Sequence, residues 1–213
     1  MAKLIWGAAG ERRYDLGIDQ GVLYLNGNVY PWSGLTAVNE APSGGEAQPY
    51  YIDGFKYLNL ASAEEFEATI EAMSAPLAFN ECDGTASIRN GLYATQQPRN
   101  PFDFCYRSLI GNDTDGQNHG YKIHLVYGAL AAPSSVSNQT ISESPRPASR
   151  SWKITTLPPK TTGHNYKPTA HFVVDSTQTT SALLTQLEDA LYGSVTTVPR
   201  LVTAQELLDM FTA

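Results

Sequence analysis

The sequence predicts a mainly β protein with two helices and several long loops. Runs of β-branched and aromatic residues recur along most of the chain, Asn-Gly and Asp-Gly pairs separate some of them, and only two late segments show helical periodicity. The 213 residues fit one domain, and a hydrophobic content of 42% is enough for one core. We therefore expect a single domain over residues 1–213.

The first part of the chain contains two hairpin signals and one long loop. Residues 22–30 carry the pair Asn26-Gly27 between two short apolar runs, which favours a two-residue hairpin turn. Residues 50–60 have an extended pattern around an Asp-Gly pair. Residues 40–49 are rich in Pro, Gly and Ser without periodicity, which predicts a mobile loop.

Residues 62–73 fit either a helix or a strand. Ser62 and Glu65 would form a helix capping box, whereas apolar and polar residues alternate strictly from Phe66 to Glu71. We predict the strand. Its polar residues would then project from one face as a row that is mostly carboxylates, because successive side chains of a strand point to opposite faces. The row consists of Glu65, Glu67, Thr69 and Glu71.

Residues 102–129 contain two strand-like runs that flank a loop of Asn, Asp and Gly. Within the loop, Asn112, Asp113 and Asp115 resemble the start of a calcium-binding loop, but the downstream acidic ligand is missing. We therefore interpret residues 112–119 as a polar connection or a subunit contact.

The last third of the chain predicts two strands and two helices. Residues 149–157 and 169–175 have the β-branched and aromatic content of half-buried strands. Residues 181–191 place leucines at helical spacing, and Gly193 can end that helix. Residues 203–211 predict a second, short helix.

Signatures of covalent chemistry are missing from the sequence. It contains no GxSxG, GxxxxGK[ST] or GxGxxG motif. His124 and His171 fall in predicted strands without metal-ligand spacing, which favours structural histidines. Cys82 and Cys105 are predicted to be buried, inert thiols. The sequence predicts neither an enzyme nor a cofactor or metal centre, and without 18 consecutive apolar residues it predicts no membrane insertion.

Charge is distributed unevenly along the chain. The net charge of −7 argues against a general affinity for nucleic acid. Residues 53–83 hold seven acids and one base, whereas residues 146–167 hold five bases and no acid. This asymmetry suits subunits that meet opposite charges on neighbouring copies. The basic candidates for such contacts are Arg146, Arg150 and Lys153.

Several patches of the chain together indicate a family. They are YIDGFKYLN at 51–59, EFEATIEA at 65–72, IGND at 110–113, HGYKIHLVY at 119–127, KPTAH at 167–171 and LYG at 191–193. This combination, which covers most of the chain, resembles tail proteins of long-tailed bacteriophages that infect actinobacteria and related hosts. It is most similar to the major tail (tail tube) protein.

The resemblance implies a fold, an assembly and a location. Tail tube subunits of this type are β-sandwich or barrel-like proteins with flanking helices, and they form hexameric rings that stack into a tube through which the genome passes. The implied partners are further copies of the chain, the tape measure protein and other tail components. DNA would pass without specific binding, and the location would be the virion tail, assembled in the host cytoplasm.

In such a tube, the long loops become candidate contacts between subunits or rings. A loop that is mobile in a monomer can become ordered when it docks on a neighbour. Besides the basic residues above, the candidates are Glu40, Ser43, Gly44, Gly45, Glu46, Asn112, Asp113 and Asp115.

The same resemblance implies that the acidic row lines the lumen of the tube. Carboxylates on the lumen wall would repel the phosphate backbone, so that DNA slides through the tube, whereas Lys and Arg would retain it. Glu65, Glu67, Thr69 and Glu71 are therefore the candidate lumen residues.

Two other functions remain open at the level of sequence. A distal-tail or adaptor protein would share the sandwich but stop after one ring. A carbohydrate-binding module, in a different functional class, would use exposed tyrosines and tryptophans on a β-sandwich.

Overall fold

The computed structural model describes residues 4, 6–134, 136, 138, 140, 147–163 and 165–212. Strands dominate these residues and only three α helices occur among them, which confirms the mainly β fold. Within this part of the chain, none of the helices has the length and apolar character that crossing a membrane requires.

All fourteen strands among the described residues precede the two longer helices. Strands β1 to β14 are Tyr14–Leu25, Asn28–Pro31, Leu35–Glu40, Ser43–Gly44, Ala47–Ile52, Phe55–Ala61, Glu64–Glu65, Glu67–Ala72, Ala86–Arg89, Leu92–Ala94, Phe102–Asn112, Gly116–Ala131, Arg150–Thr156 and His171–Asp175. Helices α1 to α3 are Asn80–Asp83, Ser181–Tyr192 and Ala204–Thr212, and a 3-10 turn at Leu77–Phe79 precedes α1.

The main sheet is antiparallel and curled. Its order is β2-β1-β11-β12-β13-β8-β3, and β14 also pairs with β12. Strand β12 changes partner along its length, since residues 122–126 pair with β14 and residues 129–131 pair with β13. The sheet curls until β3 contacts β1. The result is a barrel-like sheet around an apolar core.

Gly128 marks the place where β12 changes partner. Its φ is +59°, its N–H donates to Asp103 Oδ1 over 2.7 Å, and the register with β11 shifts here. A Cβ at this position would lie 2.5 Å from the carbonyl oxygen of Leu157. Only glycine therefore fits this bulge without strain.

Replacing Gly128 by alanine is expected to lower the free energy of unfolding by about 2–3 kcal/mol, because it adds a backbone clash to the cost of a positive φ. Gly27→Ala is the matched control, since Gly27 has a φ of +78° but nothing within 4 Å of its added Cβ. Urea denaturation followed by tryptophan fluorescence measures both variants. If both variants lost the same free energy of unfolding, the predicted clash with the carbonyl oxygen of Leu157 would be contradicted.

One face of the curled sheet encloses a core of aromatic rings. The ring centroid of Trp32 lies 4.7 Å from that of Phe79 and 5.9 Å from that of Trp152. Trp32 Nε1 donates to the carbonyl oxygen of Ser74 over 2.8 Å, so the buried indole N–H is paired. Cys82 is part of the same cluster.

The opposite face of β1, β11, β12 and β14 is covered by α2 and α3. Leu187, Leu191 and Leu207 of these helices pack against that face. Two buried tyrosines join the layers, because Tyr24 donates to the carbonyl oxygen of Leu191 and Tyr127 to that of Val202. Both predicted helices are confirmed.

The predicted turns and strands are largely confirmed. Asn26 and Gly27 both have positive φ and join β1 to β2, as the two-residue hairpin requires. Asp53 and Gly54 do the same between β5 and β6. Strand β8 alternates half-buried and buried residues, so the strand prediction for this segment holds and the helix alternative does not.

The prediction of a loop over residues 40–49 is wrong. Strand β3 reaches Glu40, β4 pairs with β7, and β5 starts at Ala47. Gly44 has a φ of +80°, and a Cβ there would lie 2.3 Å from the carbonyl oxygen of Ala63. The glycines therefore allow a close approach of two backbones, where the sequence suggested mobility.

Candidate assembly surfaces

Strands β5 and β6 form a two-stranded hairpin that pairs with no other strand among the described residues. We call this hairpin the arm. Its large apolar side chains are exposed, from 53% for Tyr50 to 79% for Phe55. The exposed residues are Tyr50, Tyr51, Ile52, Phe55, Tyr57 and Leu60.

Such an arm is unusual for a chain that acts alone. An isolated two-stranded hairpin is marginally stable in water, and a concentration of large exposed apolar side chains is typical of an interaction site. Contacts at its base hold it, since Gly45 N donates to Ser62 Oγ over 3.0 Å and β4 pairs with β7 beside it. The arm therefore extends from a braced base.

A second exposed hairpin is formed by β9 and β10. Its apolar residues Ile88, Leu92 and Tyr93 are exposed. These short strands and helix α1 were not predicted from the sequence. The described residues therefore present two apolar hairpins.

The outer face of β8 carries most of the predicted acidic row. Glu67, Thr69 and Glu71 are half-buried on this face, and Ala68 and Ile70 point into the core. Lys153 Nζ of β13 lies 2.5 Å from Glu67 Oε2, and Ser43 Oγ donates to Glu67 Oε1. The hydrogen bond from Lys153, followed by that from Ser43, lowers the pKa of Glu67 below its usual value.

The row differs from its prediction in two respects. Glu65 belongs to β7, where it pairs with Ser43, so it is separate from β8. Lys153 lies opposite Thr69 in the register, between the two glutamates of the row. The face therefore carries two carboxylates and one ammonium, and one predicted inter-subunit cation is paired within its own chain.

The remaining candidates of residues 40–46 lie at the base of the arm. Ser43 hydrogen-bonds to Glu67, whereas Gly44, Gly45 and Glu46 are exposed. Arg150 is also exposed, at the start of β13, and Arg146 lies outside the described residues. Contacts of these residues with a neighbouring copy stay predictions.

The loop between β11 and β12 is organised by Asn112. This residue is only 3% exposed, and its Oδ1 accepts hydrogen bonds from the backbone N–H groups of Thr114 and Asp115. Asp113 Oδ1 accepts from Gly10 N, and Asp115 Oδ2 lies 2.9 Å from His119 Nδ1. Asn112 thus shapes the loop from inside, and Asp113 and Asp115 are among the exposed residues of the loop.

A cluster that sequence analysis missed joins Glu40, His124 and His171. His124 Nδ1 lies 3.1 Å from His171 Nε2 and 3.3 Å from Glu40 Oε1. The hydrogen bond from His124, with a smaller one from Tyr106, lowers the pKa of Glu40 to about 2. Burial lowers the pKa of His171 to about 4. The only sequence signal was a histidine in each of two predicted strands, and their pairing could not be read from it.

Both cysteines are buried and unpaired, as the sequence predicts. Burial is the largest cause that raises the pKa of each thiol to about 12. Since the thiolate is the reactive form, both side chains are inert at neutral pH.

No family model matches the chain, and no curated protein matches it. A chain of the anti-feeding prophage baseplate aligns over 72% of this chain and 94% of its own length, at 10% identity and a TM-score of 0.39. A chain of the anti-feeding prophage cap, which terminates the tube, aligns over 83% and 97%, at 10% identity and a TM-score of 0.37.

A third similar structure is the sheath-tube complex of an extracellular contractile injection system, PVC, in its extended state. One of its chains aligns over 65% of this chain and 84% of its own length, at 13% identity and a TM-score of 0.34. At such scores these likenesses carry no argument about function. The class that the fold itself defines is a mainly β protein with a curled antiparallel sheet and two helices on one face.

Proposed function

We propose that the chain is the structural subunit of a bacteriophage tail tube, which assembles into stacked, hexameric rings. The observation that carries this proposal is the arm, because its six exposed apolar side chains contact little of their own subunit. The sequence resemblance to tail tube proteins supports the same function. Further copies of the chain are then the partners that bury the arm.

Such a subunit acts through the geometry of its contacts with neighbouring subunits. Heterologous contacts close a ring when the rotation between subunits closes, and they continue without end when they stack rings along an axis. The curled sheet and its two helices supply a rigid body, and the two exposed hairpins supply contacts to neighbours. No covalent step is needed. In the virion, the tape measure protein or DNA would occupy the lumen.

The outer face of β8 is our candidate for the lumen wall. Its two glutamates outnumber the single lysine, and that lysine, Lys153, forms an ion pair with Glu67. A wall of this kind offers little favourable counterion release to the phosphates of DNA. DNA would therefore pass without being retained.

Negative-stain microscopy of the purified protein tests the proposed function. Long tubes support the tail tube subunit, and single rings support a distal-tail or adaptor protein. Monomers that bind glycans in a binding assay support a carbohydrate-binding module. Monomers without any assembly over a wide concentration range would contradict the proposal.

The lumen position can be tested with a thiol introduced by Thr69→Cys, because both native cysteines are buried. In assembled tubes this thiol is expected to react with a small maleimide but not with a maleimide attached to a globular protein. Mass spectrometry of the labelled subunits measures both reactions.

Thr185→Cys is the control, since Thr185 is exposed on α2, which covers the opposite side of the main sheet. This thiol should react with both reagents. Rapid labelling of Thr69→Cys by the large reagent would place β8 outside the tube, and no labelling by either reagent would place it in an interface.

A further inference from the structure

Three side chains from separate strands converge on one point of the structure. Glu40 ends β3, His124 lies in β12, and His171 begins β14. One ligand atom from each lies within 4.8 Å of the others. We propose that Glu40, His124 and His171 bind a divalent transition-metal ion of the zinc class. This inference does not depend on the proposed function.

The donor set and its spacing suit such an ion. Two imidazoles and one carboxylate are ligands that zinc and its neighbours in the first transition row accept, with a further position left for water. Tetrahedral coordination at zinc bond lengths separates ligand atoms by about 3.3 Å. The observed separations of His124 Nδ1 are 3.1 Å to His171 Nε2 and 3.3 Å to Glu40 Oε1. Small shifts would therefore suffice to seat the ion.

Outer contacts hold the two ligands from β3 and β12 in place. Ser108 Oγ lies 2.9 Å from His124 Nε2, the nitrogen that faces away from the cluster. The Tyr106 hydroxyl donates to Glu40 Oε1 over 2.6 Å. With an ion on Nδ1, the Nε2 atom of His124 would carry the proton and donate a hydrogen bond to Ser108 Oγ. Hydrogen bonds of this kind fix the orientation of metal ligands.

Aromatic rings restrict the imidazoles further. The ring of Tyr106 lies nearly parallel to that of His124, with centroids 4.4 Å apart and an angle of 9°. Phe66 packs against His171 with centroids 4.2 Å apart. Because the rings have little freedom to rotate, binding an ion would cost little side-chain entropy.

The cluster is also accessible from solvent. Glu40 and His171 line a cavity of about 740 Å³ whose wall includes Glu64, Phe66 and Lys167. An ion held by the cluster would lie at this wall, with room for a water molecule as an additional ligand. Ligand count, spacing, outer contacts and access are the features that a metal site requires.

A bound ion would connect the base of the arm to the centre of the sheet. Glu40 is the last residue of β3 and is separated from β4 by two residues, whereas His124 and His171 lie on paired strands. The ion would therefore fix the position from which β4 and the arm extend. It would stabilise the folded state, because these ligands converge only after folding.

Cobalt and zinc titrations of the untagged full chain test the proposal. After removal of metal with a chelator, one equivalent of Co²⁺ is expected to bind. The bound Co²⁺ should show the visible ligand-field absorption bands of a site with few nitrogen and oxygen ligands. Zn²⁺ should abolish these bands at one equivalent. At a hundredfold excess over its Kd, Zn²⁺ should raise Tm by roughly 5–10 °C. The proposal would be overturned if neither Co²⁺ nor Zn²⁺ binds at a metal concentration of about 0.1 mM.

Variants identify the ligands. Glu40→Gln and His171→Gln should each weaken binding by at least about tenfold to a hundredfold, because loss of an outer contact alone typically costs that much and these variants remove a ligand. His119→Asn is the matched control, because His119 contacts Asp115 and Asn112 and is not part of the cluster. Circular dichroism verifies that each variant is folded. Wild-type affinity in His171→Gln would overturn the assignment.

If a variant does not fold, histidine ¹⁵N NMR spectra of the wild-type chain identify the nitrogen atoms that bind the ion. Zn²⁺ is expected to shift the Nδ1 resonance of His124 and the Nε2 resonance of His171. Shifts confined to other histidines would place the ion elsewhere and overturn the proposal.

Discussion

Replacing Tyr51, Phe55 and Tyr57 of the arm by serine is expected to abolish the proposed assembly into tubes while the subunit stays folded. All three side chains are exposed in the isolated chain, and none belongs to either core cluster. The replacements therefore remove apolar area that only a partner can bury.

The size of the effect follows from the area that assembly would bury. Full burial of one large apolar side chain contributes about 1.5–3 kcal/mol, so three partly buried ones contribute about 4 kcal/mol in all. Since about 1.4 kcal/mol corresponds to a factor of ten, the association constant should fall roughly a thousandfold. The free energy of unfolding of the subunit should change by less than about 0.5 kcal/mol, as for other surface replacements.

Sedimentation velocity and negative-stain microscopy measure the loss, with urea denaturation as the test of folding. The control replaces Val195 and Val198 by serine, since these residues are 105% and 82% exposed but lie outside the arm. The control should assemble normally. Tubes formed by the arm variant at wild-type concentrations would show that the arm does not hold subunits together.

Replacing Trp32 by alanine is expected to lower the free energy of unfolding by about 3–5 kcal/mol. Trp32 is 2% exposed and touches the rings of Phe79, Phe104 and Trp152. The replacement leaves a cavity beside the 3-10 turn, β11 and β13, and it removes the hydrogen bond from Trp32 Nε1 to Ser74. Neighbouring rings are too rigid to fill the space.

Chemical denaturation measures this change, and Trp6→Ala is the matched control. Trp6 is 82% exposed, so its loss should change the free energy of unfolding by less than about 0.5 kcal/mol. A loss below about 1.5 kcal/mol for Trp32→Ala would mean that the core collapses around the missing ring. The sheet would then be less rigid than its packing indicates.

Features that depend on a few neighbouring residues were predictable from the sequence. The turns at Asn26-Gly27 and Asp53-Gly54 are confirmed because both require positive φ, which these residues adopt at low cost. Helix α2 agrees with its prediction because its leucine spacing reports directly on a helical face, and the short helix predicted at residues 203–211 is found as α3. The alternation in β8 correctly favoured a strand over a helix.

Features that depend on a distant partner were not predictable. Most of residues 40–49 are in strands because β3 pairs with β8, β4 with β7 and β5 with β6, and nothing in the local pattern reveals the partners of β3 and β4. The partner change of β12 at Gly128 likewise depends on β13 and β14, which come later in the chain. A glycine alone does not distinguish a mobile loop from a close backbone approach.

The same distinction applies to the candidate sites. The sequence predicts an extended segment at residues 50–60, but only the structure shows that its apolar residues lack cover. It predicts a row of glutamates, but not that Lys153 lies between Glu67 and Glu71. It identifies His124 and His171 as strand residues, but not their approach to Glu40.

The sequence by itself therefore determined a mainly β chain, its tight turns, its two late helices and the uneven charge along it. These depend on backbone preferences and side-chain periods that act over a few residues. The tertiary structure alone decided which residues meet and which stay uncovered. Strand register and sheet curl bring residues such as Glu40 and His171 together across more than a hundred positions, and they leave the arm exposed.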